Sequence, residues 1–215
     1  MATAGSVVSR NVACRPAVAT SSGLKIVLTG PFGVGKTTLV GAVSDIAPLT
    51  TDVAMSAGAR EDTSYTPAKT TTTVAMDFGR LDVDGVTVYV YGTPGQHRFW
   101  FMWDAIVRGA VGAVVLVDTR RLADSFRHLD YIDHARLPFV VAVNHFPGAG
   151  AYPVSDIREA LTLGADVPIV DIDARDRDSV RQLLIALVQH VLTRTPTRPH
   201  PAGSSARAYP RKEHP

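Results

Sequence analysis

Gly30-Pro31-Phe32-Gly33-Val34-Gly35-Lys36-Thr37 is the stretch from which the rest of the chain is read. It fits the pattern Gly-x-x-x-x-Gly-Lys-[Ser/Thr], and its surroundings fit as well. An apolar run over 24–30 ends in glycine and predicts a buried strand. Helical spacing continues over 36–46 until Pro48 stops it. Glycines let successive backbone N–H groups turn inward around phosphate oxygens. The helix after them points its positive end at the same anion. Gly30, Phe32, Gly33, Val34, Gly35 and Thr38 are the candidate phosphate cradle. Lys36 would lie along the β- and γ-phosphates, and the Thr37 hydroxyl would coordinate Mg²⁺. The pattern points to nucleotide binding.

Outward from this loop the chain alternates strands and helices. The run 50–73 is rich in Thr, Ala and Gly, has no stable period, and reads as a long loop. Runs 74–83 and 86–91 flank Asp84-Gly85, a strong hairpin signal. Further strands are expected at 111–118, 139–143 and 167–172. Helices are expected at 99–108, 122–136, 154–163 and 179–193. Apolar strands separated by helices predict a mostly parallel sheet covered on both faces. The expected architecture is an α/β three-layer sandwich with a six-stranded sheet and one antiparallel edge strand.

Composition narrows the class without deciding it. The 215 residues are 46% hydrophobic and 20% charged, an ordinary globular balance. The longest apolar run is far short of the ~18 residues of a membrane span. A single cysteine, Cys14, excludes an internal disulfide framework. The net charge of +2 hides an uneven distribution. Residues 24–193 hold 15 basic and 19 acidic side chains, a balance of −4. Residues 1–23 contribute +2 and residues 194–215 contribute +4. The first segment reads as a disordered leader and the proline-rich last segment as a disordered basic tail. A base-stacking module for nucleic acid is lacking.

The segments after the loop separate the kinds of phosphate-loop protein. A Thr tract leads to Thr73-Val74-Ala75-Met76-Asp77-Phe78, then the hairpin, then Gly92-Thr93-Pro94-Gly95-Gln96-His97-Arg98-Phe99. This order resembles the Ras-like small GTPases, close to the Rab, Arf and bacterial MglA-like branches. With Val117-Asp118-Thr119-Arg120-Arg121 it is similar to the actinobacterial, conservon-encoded MglA-like GTPases. The resemblance covers about residues 24–193. It implies a GTP/GDP switch with Mg²⁺, cytoplasmic, signalling through partners. Those partners would be a roadblock-type, MglB-like regulator and a sensor-kinase-like membrane protein, with peripheral membrane association through them or the tail. A non-hydrolysing adaptor and an ATP-binding protein are the alternatives.

The resemblance also assigns residues. Thr73 stands where the switch I threonine contacts Mg²⁺ and the γ-phosphate. Gly95 stands where an N–H reaches the γ-phosphate, and Gln96 where a glutamine orients the attacking water. Asn144 matches the asparagine of Asn-Lys-x-Asp. Phe146 or His145 could stack on a base, and Ala174 and Arg175 match the later base-contacting element. Departures accompany these matches. Gly92 replaces an aspartate and Pro147 replaces the guanine-reading aspartate. Phe32 stands where a small residue is usual, which predicts slow hydrolysis. Asp118 reads as a helix cap rather than a metal ligand. Arg60, Arg80 and Arg98 are candidate charge stabilisers, and the aromatic run 99–103 is a candidate partner surface.

Overall fold

The computed structural model describes residues 23–54, 71–83, 85–95 and 101–194, with the backbone alone for 50–54 and 71–75. Seven strands form one sheet in the order β2-β3-β4-β1-β5-β6-β7. These are β1 (Leu24–Thr29), β2 (Leu49–Ala54), β3 (Thr71–Val83), β4 (Val86–Gly92), β5 (Gly112–Val117), β6 (Phe139–Asn144) and β7 (Ile169–Ile172). The helices are α1 (Lys36–Val43), α2 (Trp103–Val107), α3 (Phe126–His134), α4 (Val154–Ala160) and α5 (Arg177–Thr193).

Side-chain alternation explains the three layers. Along β1, Ile26 and Leu28 face one side and Val27 the other, because successive side chains point to opposite faces. Ile26 and Leu28 join Val114, Leu116, Val140 and Ala142 against α1 and α5. Val27 joins Val115, Val117, Val141 and Val143 against α2, α3 and α4. Both faces of β5 and β6 are buried, which is why these strands are apolar throughout. Each fully buried Val or Leu contributes about 1.5–3 kcal/mol.

Five strands, β4, β1, β5, β6 and β7, run parallel, and β3 runs antiparallel to β4. Gly85 adopts φ +81° in the hairpin turn between them. The expected six strands are all present, and the sheet extends by one more. Part of the run read as a loop is β2, which pairs antiparallel with β3 and takes the edge in its place. The Leu49–Ala54 run is mostly Thr, Asp and Ala and shows no apolar alternation, so no strand period is legible in it. The expected helix over 122–136 divides into a 3-10 segment, Thr119–Ser125, and α3. Residues 1–22, 55–70 and 195–215 lie outside the described residues, so all but the last residue of the expected leader and all but the first residue of the expected tail are not described.

β1 lies between β4 and β5, the point where the strand order reverses. A crevice opens at the carboxyl ends of strands at such a point. The loop 30–35 leaves β1 there.

Candidate functional site

Gly35 precedes α1 with φ +107°, a left-handed conformation that glycine adopts without a steric penalty. A Cβ there would also lie 2.6 Å from Asn144 Nδ2. No side chain caps α1, and its first turn holds no acid. Its N–H groups and positive end therefore face the loop uncompensated. Lys36 is 8% exposed. Its Nζ donates to Gly30 O at 2.6 Å and Pro31 O at 2.8 Å, which holds the ammonium within the loop. Thr38 is exposed on the first turn, whereas Val34 is buried.

Thr37 Oγ1 donates to Asp77 Oδ2 at 2.9 Å. Asp77 is 2% exposed and was not singled out from the sequence. It pairs across the hairpin with Gly92, where the small-GTPase aspartate is missing. A Cβ on Gly92 would stand 3.1 Å from Asp77 Cβ and 3.2 Å from its Oδ2. The carboxylate thus enters the same region from the neighbouring strand. A hydroxyl and a buried carboxylate are hard oxygen donors, which fits Mg²⁺. Among the described residues no group of three or more His, Cys, Asp or Glu is placed to hold a metal ion. Thr73 lies on β3 opposite Asp52, and its side chain is not described.

Gly95 packs directly on the loop. A Cβ at this position would be 2.9 Å from Phe32 N and 3.0 Å from Lys36 Nζ. Thr93 Oγ1 donates to Thr29 Oγ1 at 2.9 Å, and Thr29 Oγ1 is 2.8 Å from His128 Nδ1. Trp103 Nε1 donates to Pro94 O at 3.3 Å. The segment leaving β4 is thereby tied to β1 and α3. Gln96 and its followers to residue 100 lie outside the described residues, as do Arg60 and Arg98. Of the aromatic run, Trp103 is core and Phe101 is exposed. Phe32 is itself buried at 9%. Arg80 pairs with Asp82 at 3.0 Å and contacts Ser44, at the end of α1 away from the loop. It is not placed to stabilise charge at the phosphates.

A different arginine reaches the loop. Arg121 Nη2 donates to Phe32 O from the 3-10 segment after β5. Asp118 begins that segment as its cap, accepting from Arg120 N at 3.0 Å. Burial alone would raise the Asp118 pKa. The Arg120 guanidinium and N–H outweigh it, so the carboxyl stays below the ordinary value. Asp118 is the cap that its sequence position implies, and it also anchors Arg120 and Arg121.

Asn144, 5% exposed, ends β6. Its Nδ2 donates to Val34 O at 2.9 Å, and its Oδ1 accepts from Ala174 N at 3.0 Å. One side chain so locks the phosphate loop to the loop after β7. Phe146 is half-buried with the Arg120 guanidinium 4.2 Å from its ring centre. Arg175 turns onto Asp173 in a fork of 2.9 and 2.7 Å. The guanidinium and the Arg175 N–H hold the Asp173 carboxyl at a pKa of about 2. Asn144, Ala174, Phe146 and Arg175 therefore cluster at one end of the sheet. Ala174 N and Arg175 are engaged within the protein.

The model of a family described as conserved hypothetical ATP binding protein matches residues 28–194, and the chain belongs to that family. An uncharacterized protein of Methanocaldococcus jannaschii is 26% identical over 123 residues, covering 56% of this chain and 69% of its own. The cytosolic domain of the T. maritima FeoB iron transporter in a GDP form superposes with TM-score 0.58 at 16% identity. That match covers 80% of this chain and 65% of the transporter domain, so the chain spans about two thirds of it. The FeoB G-domain from Methanococcus jannaschii gives TM-score 0.53 at 17% identity, covering 79% and 98%. At such identities the likeness is one of fold. The chain is a nucleotide-binding P-loop protein with a G-domain-like fold.

Proposed function

We propose that this member of the family is a GTP-dependent switch with slow intrinsic hydrolysis. The approach of Gly95 to the phosphate loop carries the reading. The segment leaving β4 rests 2.9–3.0 Å, at an added Cβ, from Phe32 N and Lys36 Nζ. A third phosphate in that loop offers the Gly95 N–H an acceptor, and its loss removes that acceptor. Lys36 and the first N–H groups of α1 bind the β- and γ-phosphates. Thr37, with Asp77 behind it and Thr73 from β3, would hold Mg²⁺. Bound there, the ion neutralises charge on the phosphates. Gln96 orients the attacking water, and a substituted loop with Phe32 keeps the rate low. Asn144, Phe146, Ala174 and Arg175 frame the base.

In this reading the protein belongs to the MglA-like, conservon-type branch and acts in the cytoplasm. A roadblock-type regulator and a sensor-kinase-like membrane protein are its partners. The exposed Phe101, shortly after Gly95 in the chain, offers such a partner an aromatic anchor. Among the described residues no helix is long and apolar enough to cross a membrane.

A second reading concerns the base. Pro147 offers no carboxylate to guanine, and Ala174 N–H is bonded to Asn144. Both features favour weak base selection or adenine, in keeping with the family's description as ATP binding. Single-turnover phosphate release with GTP and ATP, for the parent and Gln96→Ala, separates these readings. The expected result is GTP-dependent release that Gln96→Ala lowers at least tenfold. Release no faster than without protein overturns hydrolysis and leaves a nucleotide-binding adaptor. Tighter binding of ATP than of GTP overturns the guanine assignment.

A further inference from the structure

The carbonyls of the phosphate loop do not share one direction. Gly30 O and Pro31 O both accept from Lys36 Nζ. Phe32 O turns away and accepts from Arg121 Nη2. Arg121 arrives from a different element, the 3-10 segment, where its backbone leaves helical geometry at φ −155° and ψ 54°. Its side chain is 9% exposed, with Asp118 at 3.7 Å and Asp124 at 3.5 Å. The guanidinium is thus held by two carboxylates and directed at one peptide.

A peptide unit is planar, and all described peptide bonds of this protein are trans. The C=O and the following N–H therefore point in opposite directions. Fixing Phe32 O on Arg121 fixes the Gly33 N–H on the other side of the loop. Among the described residues nothing accepts from that N–H. We propose that Arg121 is a positioning residue. It holds the 32–33 peptide so that the Gly33 N–H donates to the oxygen bridging the β- and γ-phosphates. This deepens the proposed function and rests on it. When the γ-phosphoryl leaves, negative charge collects on that bridging oxygen. A preoriented donor aimed at developing charge lowers the barrier, and loss of one such donor costs ~10²–10³ in rate at other sites. Arg121 itself touches neither water nor phosphate in this proposal.

The test uses the full chain with Mg²⁺ and three ligands: GDP, GTPγS and GppNHp. GTPγS keeps an oxygen bridge that accepts a hydrogen bond. GppNHp has an N–H bridge, a donor that opposes the Gly33 N–H. The parent should bind GTPγS about tenfold or more tightly than GppNHp, which corresponds to about 1.4 kcal/mol. In Arg121→Gln that ratio should fall toward one, with GDP affinity within about threefold of the parent. Single-turnover hydrolysis should fall at least about tenfold. Arg121→Lys, which keeps the charge and replaces the planar fork with a compact ammonium, should lie between. A purely structural role would lower GDP and GTPγS affinity together and leave the ratio alone. An unchanged ratio in Arg121→Gln, a proportional loss of all three ligands, or no discrimination by the parent overturns the proposal. Should Arg121→Gln melt below the assay temperature, Arg121→Lys decides by the same ratio: a fall supports the proposal and no change overturns it. A parent that binds none of the three ligands overturns the proposed function instead.

Discussion

In the proposed function, Asp77 on β3 brings across the hairpin the carboxylate that the small GTPases this chain resembles carry at the place of Gly92. Gly92 sits where the resemblance expects an aspartate, and Asp77 is its cross-strand partner, bonded to Thr37. Groups that orient a metal ligand typically change metal affinity 10–100-fold when removed. Asp77→Asn should therefore weaken Mg²⁺-dependent nucleotide binding about tenfold or more, read as the Mg²⁺ concentration that halves nucleotide dissociation. Gly92→Asp alone should not help, because its Cβ would meet Asp77 Cβ at 3.1 Å. Asp77→Gly combined with Gly92→Asp should recover most of the loss. An Asp77→Asn protein with parental Mg²⁺ dependence refutes that role for Asp77. Asp77 was within reach of the sequence, since register can be counted from the Asp84-Gly85 turn. Val83 opposite Val86 places Asp77 opposite Gly92. Arg121 was not within reach. Nothing in its spacing tells a solvated arginine from one turned onto a loop 89 residues earlier.

At the scale of elements, the chain's own chemistry announced whatever is buried on two sides. β1, β5, β6 and α5 stand close to their expected places, because continuous apolar runs and 3.6-residue periods arise from burial. Asp176 caps α5 by accepting from Asp178 N and Ser179 N, which starts the helix two residues earlier than its apolar period suggests. β2 and the 3-10 segment were missed for a shared reason. Their backbone is set by neighbours, a sheet edge in one case and the Asp118–arginine cluster in the other, rather than by a period of their own. Asn144 shows how elements become one site. It accepts from one loop and donates to another, so Asn144→Ala leaves Val34 O and Ala174 N without their partner. Each buried polar group so orphaned costs about 1–3 kcal/mol. Thermal or urea unfolding of Asn144→Ala should show a loss in that range or above, with nucleotide affinity falling alongside. A loss below about 0.5 kcal/mol, under the usual net worth of one hydrogen bond, would show that the two loops do not depend on this bridge.

For the whole molecule, strand order and charge point the same way. The sheet reverses at β1, so the phosphate loop, the hairpin end and the loops after β6 and β7 meet at the carboxyl ends of the strands, all within an acidic body. The family match over 28–194 and the resemblance over 24–193 coincide with that body to within a few residues. α5 sets where the described chain ends. Its first residues follow Ala174 and Arg175, and it runs 17 residues to Thr193. At 1.5 Å per residue its far end lies about 25 Å from that start. Arg194 pairs there with Asp166 at 2.9 Å, next to the loop before β7 rather than the phosphate loop. A chain ending after Arg194 should therefore bind nucleotide within about twofold of the full chain, measured by titration at about 0.15 M salt, where charges beyond ~8 Å are largely screened. The lost positive charge should instead show in binding to vesicles containing anionic lipid, where each Lys or Arg near the surface contributes about 1 kcal/mol. A large loss of nucleotide affinity on truncation would mean that the basic segment folds back over the site and that body and tail are one functional unit.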